Sequence, residues 1–156
     1  MPAEIERKFL LKNEDWRQAV SSRQVIAQGY VANTERGSVR VRLMGDQAYL
    51  SIKSMTLGVT RIEFEYPIPV ADAEYILHNL CLRPIIEKTR YFVEQDQHLW
   101  EIDVFEGDNA GLVVAEIELS SADEAFQKPE WLGTEVSADP RYYNVKLIEH
   151  PYKLWR

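Results

Sequence analysis

Cysteine is almost absent. Cys81 alone occurs in 156 residues, which excludes a disulfide framework and a Cys-rich zinc site and points to a reducing, cytoplasmic setting. Long apolar runs are missing too: no stretch approaches the ~18 consecutive apolar residues of a membrane span, and charge begins at Glu4, so neither anchor nor export signal is expected. Positive charge is in deficit. Eighteen Lys and Arg stand against 25 Asp and Glu, a formal net charge of −7, which disfavours nucleic acid and anionic membrane as partners. His78, His98 and His150 are isolated, and no H-E-x-x-H spacing occurs, so nothing suggests a histidine metal site or a catalytic triad. A G-x-x-x-x-G-K-[ST] loop is also absent, so any phosphate binding must come from strand side chains. What remains is 46% hydrophobic and 28% charged, enough for a core in one domain spanning 1–156.

Alternation dominates the chain. Segments 3–11, 25–33, 38–44, 47–54, 60–68, 85–94, 98–106 and 112–120 read as about eight strands. Gly37, Gly45-Asp46, Glu94-Gln95-Asp96 and Gly107-Asp108-Asn109 supply turns between them. Helical spacing occurs around Glu14–Val20 and over Val70–Leu82, where Ala73, Ile76, Leu77 and Leu80 share a side. Ser120 to Glu124 predicts a capped helix start, 129–133 a Pro/Trp/Gly loop, and Asp139-Pro140 the N-cap and first residue of a final helix.

The charges follow strand parity. Glu4, Glu6 and Lys8 share one face; so do Arg40 and Arg42, Arg61 with Glu63 and Glu65, Lys88 and Arg90, Glu101 and Asp103, and Glu116 and Glu118, while Lys53 lies opposite Leu50 and Ile52. One reading makes these the solvated faces of an antiparallel sheet, laced by cross-strand salt bridges. The other closes the strands into a barrel whose lumen carries the charges. A charged lumen calls for a charged guest. Arg and Lys bind phosphate oxygens, and carboxylates at i, i+2 point together and can hold Mg²⁺ or Mn²⁺, so a metal–polyphosphate complex suits both halves.

Glu4-Ile5-Glu6-Arg7-Lys8 carries the E-x-E-x-K signature of the CYTH domain, and the chain resembles the triphosphate tunnel metalloenzymes, closest in length to their small bacterial branch. Arg40-Val41-Arg42, Lys53, Arg61-Ile62-Glu63-Phe64-Glu65, Glu87-Lys88-Thr89-Arg90-Tyr91, Glu101-Ile102-Asp103-Val104-Phe105 and Glu116-Ile117-Glu118 follow in the family's order. Arg141-Tyr142-Tyr143-Asn144 looks like its late R-Y-x-N segment, with Tyr143 where some bacterial relatives have Lys. The likeness is weakest at 70–84 and after Leu147.

The resemblance implies an α+β fold: a closed tunnel of eight antiparallel strands with a charged interior, a few helices outside, and a C-terminal helix near one tunnel end. It implies Mg²⁺ or Mn²⁺ and hydrolysis of a small-molecule triphosphate, tripolyphosphate foremost, by a monomer or homodimer. Class IV adenylyl cyclase, thiamine triphosphatase and a non-catalytic polyphosphate binder stand as alternatives. Within that scheme Lys8, Arg40, Arg42, Lys53, Arg61, Lys88 and Arg90 contact the phosphates, with Lys8 on the transferred phosphoryl or leaving group. Glu6, Glu116 and Glu118 hold the principal metal, and Glu4, Glu63 and Glu65 hold a second metal or orient the attacking water. Asp103 either joins the metal ligands or orients a lumen cation. Arg141 and Lys146 cap the tunnel or simply face solvent.

Overall fold

The computed structural model describes residues 3–55 and 59–155. Among the described residues nine strands form one antiparallel sheet: β1 (Ala3–Leu11), β2 (Val20–Asn33), β3 (Gly37–Met44), β4 (Gln47–Ser54), β5 (Thr60–Ile68), β6 (Ile86–Gln95), β7 (His98–Phe105), β8 (Val113–Leu119) and β9 (Leu132–Glu135). Their order is β5-β4-β3-β2-β6-β7-β8-β1-β9, and β5 also pairs with β1, which closes eight strands into a barrel with β9 outside the ring. Two-residue turns set the hairpin registers. Met44 pairs with Gln47 across Gly45-Asp46, and Gln95 with His98 across Asp96-Gln97. Gly45 and Asp96 both take positive φ, 63° and 56°, as the tight turns linking right-twisted strands require.

The closed ring decides which face is inside. Arg40 is buried in the lumen while its neighbour Val41 is buried outside, under helix α1 (Val70–Asn79), where it packs with Ala48, Ala73 and Leu77. The outer faces of β1, β7 and β8 are covered by a second cluster, in which Trp100 meets Phe9, Phe126 and Trp131 edge-on. Helix α2 (Asn144–Glu149) brings Val145, Leu147 and Ile148 against Tyr30, Ile86, Phe105, Leu112 and Val114. An apolar plug thus closes one end of the barrel. No helix among the described residues is long and apolar enough to cross a membrane.

Five elements differ from the sequence reading. Strand β2 begins at Val20 instead of 25, because polar Ser22–Gln24 pair with β6 although they show no alternation. Only a 3-10 turn, Asp15–Ala19, forms where helical spacing preceded it. No helix forms at 120–124: Glu124 accepts hydrogen bonds from the Ser120 N–H and hydroxyl, closing a turn, and no apolar stripe follows to hold a helix. The expected loop at 129–133 runs instead into β9, where Gly133 lies so close to β1 that a Cβ would sit 2.8 Å from the Leu10 carbonyl oxygen. The final helix does start at Asp139, whose carboxylate accepts from the Arg141 N–H, but after one 3-10 turn (Pro140–Tyr142) the chain becomes extended at Tyr143 before α2 begins.

Candidate active site

Inward parity gathers charges from β1, β3, β4, β5, β6, β7 and β8 around one cavity of about 320 Å³. Every sequence-predicted site residue except Lys88 and Asp103 lines it. The lining cations are Lys8, Arg40, Arg42, Lys53, Arg61 and Arg90; the carboxylates are Glu4, Glu6, Glu63, Glu65, Glu101, Glu116 and Glu118. Cations and carboxylates meet across strands. Lys53 Nζ lies 3.2 Å from Glu4 and 3.7 Å from Glu63, Arg40 3.4 Å from Glu63, and Lys8 Nζ 3.6 Å from Glu116.

Lys88 and Asp103 lie one layer back. Asp103 accepts from Lys88 Nζ at 2.7 Å and from Arg90 Nε and a terminal nitrogen at 2.8 and 3.0 Å, so its oxygens are taken by two lumen cations. Burial would raise this carboxyl, but Arg90 and Lys88 pull it down to about 2. Lys88 also donates to Asn144 Oδ1 at 3.3 Å, which ties the tunnel wall to α2. Arg141 pairs with Asp139 and Lys146 with Glu149; both cations are substantially solvent-exposed, and it is Tyr143 and Asn144 that reach the cavity.

Like charges crowd at two places. Arg42 is lowered to about 10 by burial, with Arg40 and then Arg90 adding repulsion. Glu6 is pushed up to about 8 by desolvation and by the neighbouring Glu116 and Glu4. Burial would raise Glu116 as well, but Lys8, Arg90 and Lys88 hold it well below the ordinary carboxylate range. Among the described residues no three His, Cys, Asp or Glu groups are drawn together as a finished metal site. The donor set nevertheless fits a hard divalent cation: it is all carboxylate oxygen, and the crowding that pushes Glu6 up is what a cation would relieve.

Sequence reasoning missed the uncharged members. Gln28, fully buried, accepts from Arg42 Nε at 3.2 Å, and Ser51 bridges Arg40 and Glu65. Both sit at inward parity, a signal that polar but uncharged residues do not announce. Glu101 showed the parity but drew no role; it lies 3.4 Å from Arg90. Tyr143 stood out in the sequence only as the residue where some relatives have Lys; the extended residue before α2 places its ring 5.7 Å from Lys8 Nζ and 5.4 Å from the Arg61 guanidinium.

Comparison with known proteins agrees with this geometry. The chain is 44% identical over 153 residues to the inorganic triphosphatase of Acetivibrio thermocellus, spanning 98% of this chain and 97% of that protein. To the inorganic triphosphatase of Nitrosomonas europaea it is 37% identical, over 92% and 95% respectively. The crystal structure of the inorganic triphosphatase NE1496 superposes with a TM-score of 0.66 at 33% identity, covering 93% of this chain and 97% of that one. A candidate adenylyl cyclase from Hippeastrum with a dominant triphosphatase activity reaches a TM-score of 0.60 over 78% and 80% at 13% identity, a likeness of fold alone. The CYTH domain pattern itself matches residues 2–152, and with the E-x-E-x-K strand, the closed barrel and the charged lumen in place, the chain belongs to the CYTH domain family.

Proposed function

We propose that this protein hydrolyses a linear inorganic triphosphate, tripolyphosphate, to pyrophosphate and orthophosphate inside the tunnel. The observation that carries the reading is the double crowding of the lumen: Arg42 against Arg40 and Arg90, and Glu6 against Glu116 and Glu4. Neighbouring counter-charges, Asp103 for the first cluster and Lys53 and Lys8 for the second, do not offset the crowding, and a metal–polyphosphate complex brings both signs at once. Size points the same way. A cavity of about 320 Å³ lined mainly by charged side chains suits a bare triphosphate with its cations and offers a nucleoside base little apolar surface. The relatives named as inorganic triphosphatases add independent support.

In this scheme Arg40, Arg42, Lys53, Arg61 and Arg90 exchange carboxylate partners for phosphate oxygens and fix the chain for in-line displacement. Lys88 and Asp103 act behind them, orienting Arg90. Glu6, Glu116 and Glu118, with the Glu4 that Lys53 releases, would hold Mg²⁺ or Mn²⁺, which supplies charge neutralisation on the phosphate oxygens. Glu63 and Glu65 orient the attacking water. Lys8 stabilises charge on the transferred phosphoryl or the leaving group.

Incubation of the purified protein with tripolyphosphate, ATP or thiamine triphosphate, each with Mg²⁺ or Mn²⁺, tests the reading. The expected result is orthophosphate and pyrophosphate from tripolyphosphate, with at least tenfold lower rates on the organic triphosphates and a loss of 10²-fold or more in R42A, on the order of a removed charge clamp in a preorganised site. Cyclic AMP from ATP, or tight tripolyphosphate binding without turnover, overturns it.

A further inference from the structure

We propose that Ser137 is a positioning residue for Lys8, acting through the strand seam where β5 leaves β1; the inference rests on the reading of Lys8 as a phosphate contact. Strand β1 changes partners along one edge. Up to Glu6 that edge belongs to the start of β5, with the Glu6 N–H donating to the Val59 carbonyl at 3.0 Å. Two residues on, at Lys8, the same edge faces the chain that follows β9. The Lys8 carbonyl accepts from the Val136 N–H at 2.8 Å, and the Lys8 N–H donates to Ser137 Oγ at 2.8 Å.

A side-chain oxygen therefore stands where a sheet would ordinarily offer a backbone carbonyl. Ser137 is itself fixed from both sides. Its hydroxyl donates to Glu135 Oε2 at 2.6 Å, and Glu135 receives the Arg7 guanidinium on the outer face of the same strand. Its carbonyl accepts from the Tyr143 hydroxyl at 3.0 Å. The same stretch of chain holds the other end of Lys8, whose Nζ donates to the Tyr142 carbonyl at 3.1 Å. Main chain and ammonium of one lysine are thus held by residues 136–142, while its side chain faces the cavity beside Glu116.

A lysine is a point charge on a flexible four-carbon stem, so where its charge sits depends on where its backbone is held. Displacement of a catalytic charge by about 1 Å can cost about 10²-fold in rate. Ser137 does not line the cavity, so its effect should run entirely through Lys8.

A double-mutant cycle tests this, with steady-state tripolyphosphate hydrolysis and thermal melting measured on wild type, S137A, S137T, K8A and S137A/K8A. The expected result is a kcat in S137A lowered about 10- to 100-fold with KM within about threefold, restored in S137T, and no further loss when S137A is added to K8A. Should S137A fail to fold, Y143F carries the same cycle, since it removes the donor that fixes the Ser137 carbonyl and keeps the ring; a several-fold fall in kcat that vanishes in the K8A background is expected. An S137A or Y143F loss of equal size with and without Lys8 overturns the positioning role and leaves the triphosphatase reading intact. Unchanged turnover in K8A overturns the positioning role together with the reading of Lys8 as a phosphate contact, whereas wild-type protein without tripolyphosphate turnover overturns the triphosphatase reading.

Discussion

Asp103 is the most heavily engaged carboxylate of the tunnel wall, with both oxygens shared between Lys88 and Arg90 and almost no exposed surface. Its role follows from that engagement: a carboxylate already satisfied by two cations orients them and has little left to offer a metal. D103N should lose about 3–5 kcal/mol at neutral pH, the usual consequence of breaking a buried pair from one side, as read by urea denaturation. The pH dependence has a definite sign. Because the folded value, about 2, lies below the ordinary 3.8, the native state is stabilised at pH above the ordinary value, and that contribution is lost as pH falls through the folded one. The gap in stability between wild type and D103N should therefore narrow between about pH 4 and pH 2; a gap that stays constant down to pH 2 would mean Asp103 does not carry its charge in the native state. The charge at this position was legible in the sequence from parity with Glu101. Which side-chain layer it occupied was not, because alternation tells inside from outside and says nothing of depth within the lumen.

Strands β3, β5, β6, β7 and β8 could be read from sequence because each alternates charge with a branched or aromatic residue, as in Arg40-Val41-Arg42 and Glu116-Ile117-Glu118. Strand β9 could not. It is four residues long, contains Gly133, and pairs with β1 across an irregular register between Phe9 and Leu11, so the pairing exists only because β1 has a bare edge beyond β5. The α2 plug was foreseen from the family resemblance, but its interruption at Tyr143 was not, since the Asp139-Pro140 start signal carries no information about where a helix must pause to let a side chain enter the lumen. The plug makes its own prediction. Leu147 is fully buried against the inner ends of β2, β6, β7 and β8, so L147A should destabilise the protein by about 2–5 kcal/mol in urea denaturation. Val25, 66% exposed on β2, is the matched control, and V25A should fall within about 0.5 kcal/mol of wild type. Equal effects at the two sites would mean that α2 is not seated on the barrel in solution.

For the molecule as a whole, the net charge of −7 conceals two different surfaces. The six lining cations and seven lining carboxylates leave the lumen at −1, and the buried Lys88 and Asp103 cancel each other. The remaining −6 lies elsewhere on the chain, where it repels polyanions at long range without opposing a small one inside a closed wall. A lumen at −1 should not attract tripolyphosphate either. Two divalent cations on its carboxylates would carry it to +3, so anion binding should be conditional on metal. Thermal melting makes the condition visible, because a ligand that binds only the native state raises stability by about 2.7 kcal/mol at a hundred times its Kd. Tripolyphosphate together with Mg²⁺ or Mn²⁺ should raise Tm by several degrees, and tripolyphosphate with a chelator by little or nothing. A shift of equal size in chelator would mean that the cations of the wall, Arg40, Arg42 and Arg90 foremost, bind the anion without help, and that the carboxylates facing them serve only to hold those cations in place.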